Sequence, residues 1–527
     1  MESVSSVRRS PLVTRLRSYV AGCVRIDTRT LAAFRIGAAL LILADLVLRS
    51  RNFVIFYTDD GVVPQSLAME AAPIAVPGIY HLATGPATTA ALFVLHGLIA
   101  VQLLVGYKTR LATVLSFLFV LSLDLRNPLV LSYADVLFAW LLLWAIFLPL
   151  GDRWSVDAVH ADREPRGAVA GIGSALILLQ MVTMYVVNGY HKSQSELWTS
   201  GEAAVLVLGL DDTTFLFGDL VRAVPTALQY GGLTWYYMLL FAWALLLARG
   251  RVRTALVGAF VAVHLSFGLT VRIGAFPYVA IAGVALFLQA SFWDDLRRVA
   301  VRIGVPVTEI SARRSRLIDV ATALPRLRAP FGLGRAIDRE PRKAAASVLV
   351  AAVLLVALVS ALSAGGLVEN EVDPVDGTEQ AATAFVDHQT EWSIFAPTPR
   401  TTDRYHVFPA RTADGELVDV YNERELSYER PGDELQQQFG TYRERFYMTY
   451  LAANEPESTP EELAEHLCES WETDEGDAIT HINMYQVTED VTIETIDAPS
   501  ERERSATEFY RHGCGDNEPM AIDPPPF

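Results

Sequence analysis

Apolar runs recur along the first 362 positions of this 527-residue chain, and each is about 20 residues long, the length an α-helix needs to cross a bilayer core. In lipid a backbone must satisfy its hydrogen bonds internally, so such runs are restricted to helices. Candidate spans fall at 31–49, 88–105, 110–125, 130–149, 168–188, 232–248, 254–271, 276–291 and 344–362. The predicted fold is therefore an all-α polytopic membrane helix bundle of about nine transmembrane helices, followed by a C-terminal mixed α/β domain. With 51 % hydrophobic residues, the composition excludes an ordinary soluble enzyme.

Charge divides the chain. From Gly365 onward there are 37 Asp and Glu against 10 Arg and no Lys, a net of −27, whereas residues 1–364 carry +10. Arg8, Arg9, Arg15, Arg17, Arg25 and Arg29 precede the first span, which places the N-terminus in the cytoplasm by the positive-inside rule. The same side is expected to receive Tyr107–Arg110, Gly151–Arg153, Arg249–Arg253 and the segment 292–343, which holds 12 basic and 6 acidic residues. Three regions follow: a basic cytoplasmic N-terminus (1–29), a membrane domain (30–362) with a cytoplasmic surface segment (292–343), and an acidic extracytoplasmic domain (363–527).

The outward loops, Arg51 to Pro86 and Gly189 to Gly231, are long and apolar, and stretches such as Ala203–Leu210 suggest re-entrant or interfacial helices. In the tail, Tyr405–Phe408, an Asp414-Gly415 turn and Leu417–Tyr421 read as a hairpin. Residues 482–496 read as strand, and a helix opens at Thr459-Pro460. Dense carboxylates with Arg in place of Lys suit a halophilic setting and argue against nucleic acid as a partner. Cys468 and Cys514 are the only cysteines of the predicted external domain and are expected to form a disulfide. No spacing suits a metal site.

The stretch Tyr185-Val-Val-Asn-Gly-Tyr-His-Lys-Ser-Gln-Ser-Glu-Leu-Trp198 follows the apolar run Ala168–Val187. Lys192 within it is one of three lysines, with Lys108 and Lys343, in a chain that otherwise uses Arg. Lysine can lose its proton in a dry site and act as a base, which arginine cannot. The competing reading is an interfacial anchor snorkelling beside Trp198. Ionisable residues inside spans are costly and draw attention: Arg35 and Asp45, near one face of the first span, His96, Asp135 and His264. For Arg35 and Asp45 a structural tie between helices is the plainer reading, and His96 reads as a core histidine. His264, followed by Arg272 and the Gly274–Tyr278 turn, would share the outer half of the bilayer with Lys192, although a purely structural hydrogen bond fits its position as well. Asp59-Asp60-Gly61 reads as a turn.

Several motifs stand in order: Phe34-Arg-Ile-Gly37, Phe56-Tyr-Thr-Asp-Asp-Gly-Val-Val-Pro64, Leu148-Pro-Leu-Gly-Asp-Arg-Trp-Ser-Val-Asp157, Tyr185…Gly189-Tyr-His-Lys192…Trp198, and His264 with Ile273–Val279. Together they resemble the HTTM (horizontally transferred transmembrane) family, which includes vitamin K-dependent gamma-carboxylase. Trp392-Ser-Ile-Phe-Ala-Pro-Thr-Pro399 is similar to the opening of that family's extracytoplasmic domain. The resemblance implies a lipid-embedded enzyme using a reduced naphthoquinone of the menaquinone or vitamin K kind, with Lys192 as base and His264 beside it. It also implies quinone contacts from Tyr185, His191, Trp198 and Arg272, and a protein or peptide substrate if glutamate carboxylation is coupled. Two positions depart from the carboxylase: Leu131 stands for a histidine and His191 for a lysine. These changes leave quinone epoxidation open and weaken glutamate carboxylation. A non-enzymatic HTTM scaffold with an extracytoplasmic binding domain is the alternative, and a transporter a weaker third.

Overall fold

The computed structural model describes residues 11–72, 78–161, 163–304, 318–326, 392–432, 434–471 and 478–527. The predicted span at 344–362, most of the segment 305–343 and the start of the tail lie outside these residues.

Within them the membrane part is helical at every predicted interval. A helix at Pro11–Cys23 comes first, and the principal helices after it are α1 (Thr28–Arg49), α2 (Pro86–Val105), α3 (Thr109–Arg126), α4 (Tyr133–Ala145), α5 (Ile172–Lys192), α6 (Glu202–Gly209), α7 (Pro225–Leu240), α8 (Gly250–Thr270), α9 (Phe276–Ala285) and α10 (Ala290–Arg302), with short helical turns between them. Four helices are long and apolar enough to cross a membrane, the first running on to Tyr57. A fifth is counted if α9 and α10, bent by 102° to one another, form one broken span. The expected nine are thus met by four or five long apolar helices among the described residues. The shortfall has visible causes: α3 carries Arg110, Asp124 and Arg126, α4 is only 13 residues, and α7 breaks before a short helix at Ala244–Leu247. The apolar stretch at 203–210 is α6, a short helix with most of its side chains buried.

Local chemistry sets several boundaries. Asp27 caps α1 by accepting from the Arg29 N–H at 2.8 Å. Proline opens α2, and Gly106 closes it in the left-handed region at φ 69°. A Cβ at Gly106 would also collide with the Arg35 guanidinium. That guanidinium donates to the carbonyls of Leu103 (2.8 Å), Leu104 (2.7 Å) and Trp154 (2.5 Å). A cation is thereby placed on the negative end of α2. Arg35 thus ties helices together, although its partner is a helix terminus and not Asp45.

Asp45 belongs to a buried ionic network. Arg49 donates to Asp45 (2.7 Å), Asp124 (2.6 Å) and Asp135 (3.0 Å), while Arg443 reaches in from the tail to Asp45 (2.6 Å) and Asp135 (2.8 Å). His96 meets the Tyr80 hydroxyl at 3.2 Å among aromatic rings, as a core histidine would.

The tail forms one antiparallel sheet: β1 (Thr402–Val407), β2 (Pro409–Thr412), β3 (Leu417–Asp419), β4 (Arg424–Glu425), β5 (Ile479–Asp490) and β6 (Arg504–Gly513). β5 is its spine, pairing with β6 along one edge and with β1 and β2, end to end, along the other. The β2–β3 hairpin pairs Pro409 with Asp419 around the Asp414-Gly415 turn, where Gly415 adopts φ 96°. Helices α11 (Tyr442–Ala453) and α12 (Thr459–Ser470) accompany the sheet. A disulfide between Cys468 and Cys514 joins α12 to the end of β6, with Cα atoms 5.6 Å apart.

Contacts gather at the two ends of α5. At its start, Ala168–Val169 pairs with Ile26–Asp27. On that end Arg249 donates to Tyr19 O (2.7 Å), Arg251 pairs with Asp295 (2.9 Å), and Tyr107 donates to Pro325 O (2.9 Å). At the other end lies the tail. Its Arg400 pairs with Asp212 (2.5 Å), and its Arg502 with Asp211 (2.9 Å) of the loop after α6.

Candidate functional site

The apolar run of α5 gives way to polar groups at its last turn. Tyr185, Asn188 and Lys192 are spaced three and four apart, so they form one stripe down one face, whereas Tyr190 and His191 project elsewhere. Gly189 allows close packing: a Cβ there would lie 2.9 Å from the Leu240 nitrogen of α7. The last turn ends at Ser193, whose N–H bonds to the Gly189 carbonyl at 3.0 Å.

Lys192 is 1 % exposed. Its Nζ donates to the carbonyls of Ile394 (2.7 Å) and Phe395 (3.3 Å) and sits 3.6 Å from the centre of the Trp198 ring. The Asn188 amide donates to the carbonyls of Trp392 (2.7 Å) and Ile394 (3.1 Å), and the Trp198 indole donates to Phe395 O at 2.8 Å. Three side chains of the membrane domain thus converge as donors on the carbonyls of Trp392, Ile394 and Phe395, among the tail's first described residues. Phe395 makes this possible by adopting φ 54°. Tyr133 fixes the same segment through Ser393 at 2.7 Å.

Beside the lysine lies a cavity of about 330 Å³. Asn188, Lys192 and Tyr185 meet it on one wall, Trp198, Trp235, Phe267 and Phe276 supply aromatic surfaces, and Ile394 and Phe395 close one side. Such a space, mostly apolar with a few convergent polar groups, is the usual form of a small-molecule site.

His264 is fully buried and shares a 2.8 Å hydrogen bond, through Nε2, with the Tyr185 hydroxyl. Rings of Trp235 (5.4 Å) and Phe276 (5.9 Å) hold it in place. Its link to the lysine therefore runs through Tyr185, which lines the cavity, as His264 itself does not. Arg272 lies at the boundary with the tail, donating to the Phe439 carbonyl (3.0 Å) and the Gln436 side chain (3.0 Å). His191 is half-buried against the Tyr190 ring, 6.0 Å between centres, and does not line the cavity. Of the expected residues, Lys192, Tyr185 and Trp198 meet at the cavity, His264 backs it, and His191 and Arg272 stand apart. Asn188 and the Ile394 and Phe395 carbonyls belong to the site and were not anticipated. Asn188 could have been picked out by its helical spacing from Lys192; the carbonyls have no sequence signature.

Among the described residues no group of His, Cys, Asp and Glu could hold a metal ion. The family model for the HTTM domain matches residues 24–293, more than half of the chain. No curated protein and no solved structure matches it.

Proposed function

The chain belongs to the HTTM domain family, and on that premise we propose that it is a membrane enzyme related to the carboxylases, acting on a reduced, lipid-soluble naphthoquinone with Lys192 as its base. The observation that carries this reading is a sealed lysine at the edge of an apolar cavity, flanked by two further donors, Asn188 and Trp198. The residues present fit such a group. Aromatic walls suit a fused ring, and convergent N–H donors suit two oxygens. Leu220, Val224 and Tyr230, on the elements that supply the cavity wall residues Val221 and Leu228, are exposed and apolar, as a route from lipid would require. When bound, the reduced quinone supplies an acidic hydroxyl and the reducing equivalents for chemistry with oxygen.

The chain's own residues do the rest. Lys192 must be a neutral amine to take a proton, and its Nζ must turn from the Ile394 and Phe395 carbonyls toward the cavity. Trp198 and Asn188 would serve an oxygen left with negative charge by turning their N–H groups from the tail carbonyls that now accept them. His264 fixes the Tyr185 hydroxyl at the cavity wall. The apolar lining excludes water, which would otherwise compete for the proton. Coupling to glutamate carboxylation of a peptide is an extension of this reading against which Leu131 and His191 weigh.

One observation favours a second reading. Every donor of the Lys192 site is occupied by main-chain carbonyls of the tail, so the lysine could be a tether holding the external domain on a non-enzymatic scaffold. Turnover of reduced menaquinone in oxygen by purified protein separates the two. Oxidation above the uncatalysed rate supports the enzyme; none, at protein shown to be folded, leaves the tether.

A further inference from the structure

At the other end of α5, about 30 Å of helix away from Lys192, a second cavity of about 450 Å³ opens between the start of α3 and the connection from α4 to α5. It has no part in the Lys192 reading. Its rim carries the guanidinium groups of Arg110, Arg163 and Arg166 and the carboxylates of Asp152 and Asp157.

The carboxylates are already engaged. Asp157 caps α3, accepting from the N–H groups of Lys108 (2.9 Å) and Thr109 (2.7 Å). Asp152 accepts from Arg166 (2.8 Å) and Arg163 (3.4 Å), both exposed. Arg110 is exposed, with no ion pair among the described residues. One positive charge is left over. Thr109, only 3 % exposed, also lines the cavity, and its Oγ1 has no hydrogen-bond partner. A buried hydroxyl left unpaired is costly, and an acceptor entering the cavity would relieve it.

We propose that this cavity binds a phosphate-bearing anion, with Arg110 and Arg166 as its charge partners and the Thr109 hydroxyl as a neutral donor. Planar guanidinium groups suit phosphate oxygens. The cavity lies where α3 begins and the connection after α4 starts, with Phe147 and Leu148 on its apolar side, and beside the start of the long apolar helix α5 a lipid phosphodiester would present its charge there. The same chemistry would admit inorganic phosphate.

The test uses the purified full chain in neutral detergent with three probes: phosphatidylglycerol, phosphatidylcholine and inorganic phosphate. Native mass spectrometry reads retained lipid, and thermal shift reads phosphate. The parent should retain phosphatidylglycerol over phosphatidylcholine by about tenfold, and the R110Q/R166Q double variant should lose that preference. Thr109→Val, which changes no charge, should weaken it by a few-fold and serves as the test if the double variant does not fold. Stabilisation by inorganic phosphate, abolished in the variants, supports the site with the soluble anion as sufficient ligand. Lipid preference without a phosphate effect supports it with the headgroup as ligand. The proposal is overturned if the variants keep the parent's preference, if neither probe binds, or if Arg302→Gln on exposed α10 lowers retention equally.

Discussion

Lys192 Nζ donates to the Ile394 carbonyl at 2.7 Å, joining residues 202 positions apart. Because the acceptor is main chain, no side-chain substitution at 394 removes it, and the lysine side carries the test. Lys192→Arg keeps a cation but cannot serve as a base; it should lower reduced-quinone oxidation by at least about 10²-fold. Lys192→Ala should fail likewise and recover partly with an added small amine. Thermal melting and protease resistance of the tail in the same preparations separate lost chemistry from lost docking. A Lys192→Arg protein that oxidises quinone as fast as the parent would falsify the base reading.

Arg443 is a clasp between tail and bundle. It stands at the start of α11, buried, against Asp45 and Asp135 of α1 and α4. Removing one partner of a buried ionic network strands the others, at a cost of about 3–5 kcal/mol. Arg443→Met should therefore lower the melting temperature and expose residues 392–527 to protease in the full chain. Adding Asp135→Asn should restore part of the loss, since one stranded charge is then gone. If Arg443→Met melts with the parent, the network is not a clasp.

His406, on β1, is buried among Phe408, Tyr421, Phe439 and Phe509, with Gln486 at 3.3 Å from its Nε2. Burial pushes its pKa down from the ordinary histidine range to about 3. The folded tail thus holds it neutral, while the unfolded chain takes up a proton below about pH 6.5. Its contribution to stability is whole above that pH and shrinks as pH falls toward 3. The slope is about 1.4 kcal/mol per pH unit. Protection factors of β1 and β5, from hydrogen exchange of the full chain corrected for the intrinsic rate at about pH 7 and about pH 5, should fall in the parent and much less in His406→Phe. Equal acid sensitivity in both proteins would remove His406 as the cause.

What could be read beforehand was whatever is written in local composition. Apolar length marked α1, α2, α5 and α8, and turn chemistry marked the bend of the β2–β3 hairpin, although its first strand is Pro409–Thr412 and the expected Tyr405–Val407 pairs with β5 instead. The rarity of Lys192 and its place at the end of α5 marked the cavity. What escaped notice depends on partners brought together by packing. Arg35 lies ten residues from Asp45 in one helix, yet it serves a terminus of α2, and Asp45 meets Arg443 from the far end of the chain. The tail carbonyls at Lys192 escaped because every residue carries one.

The last prediction concerns which side of the membrane each end occupies. One helix fixes the relation. The start of α5 is tied to Ile26–Asp27 near the N-terminus, and its end is tied to Trp392–Phe395 of the tail. Its 21 residues span roughly 31 Å, about the thickness of a hydrocarbon core. Residues 321 and 325 bond to His160 and Tyr107, on the N-terminal side of that helix. On that basis we predict a return across the bilayer between 326 and 392, the interval in which the sequence places a span at 344–362. Cysteines introduced at positions 320 and 430 should label from opposite faces of sealed membranes. By the positive-inside rule, the excess of arginine on the first side predicts 320 cytoplasmic and 430 external. Labelling of both from one face would refute this topology and the ninth crossing with it.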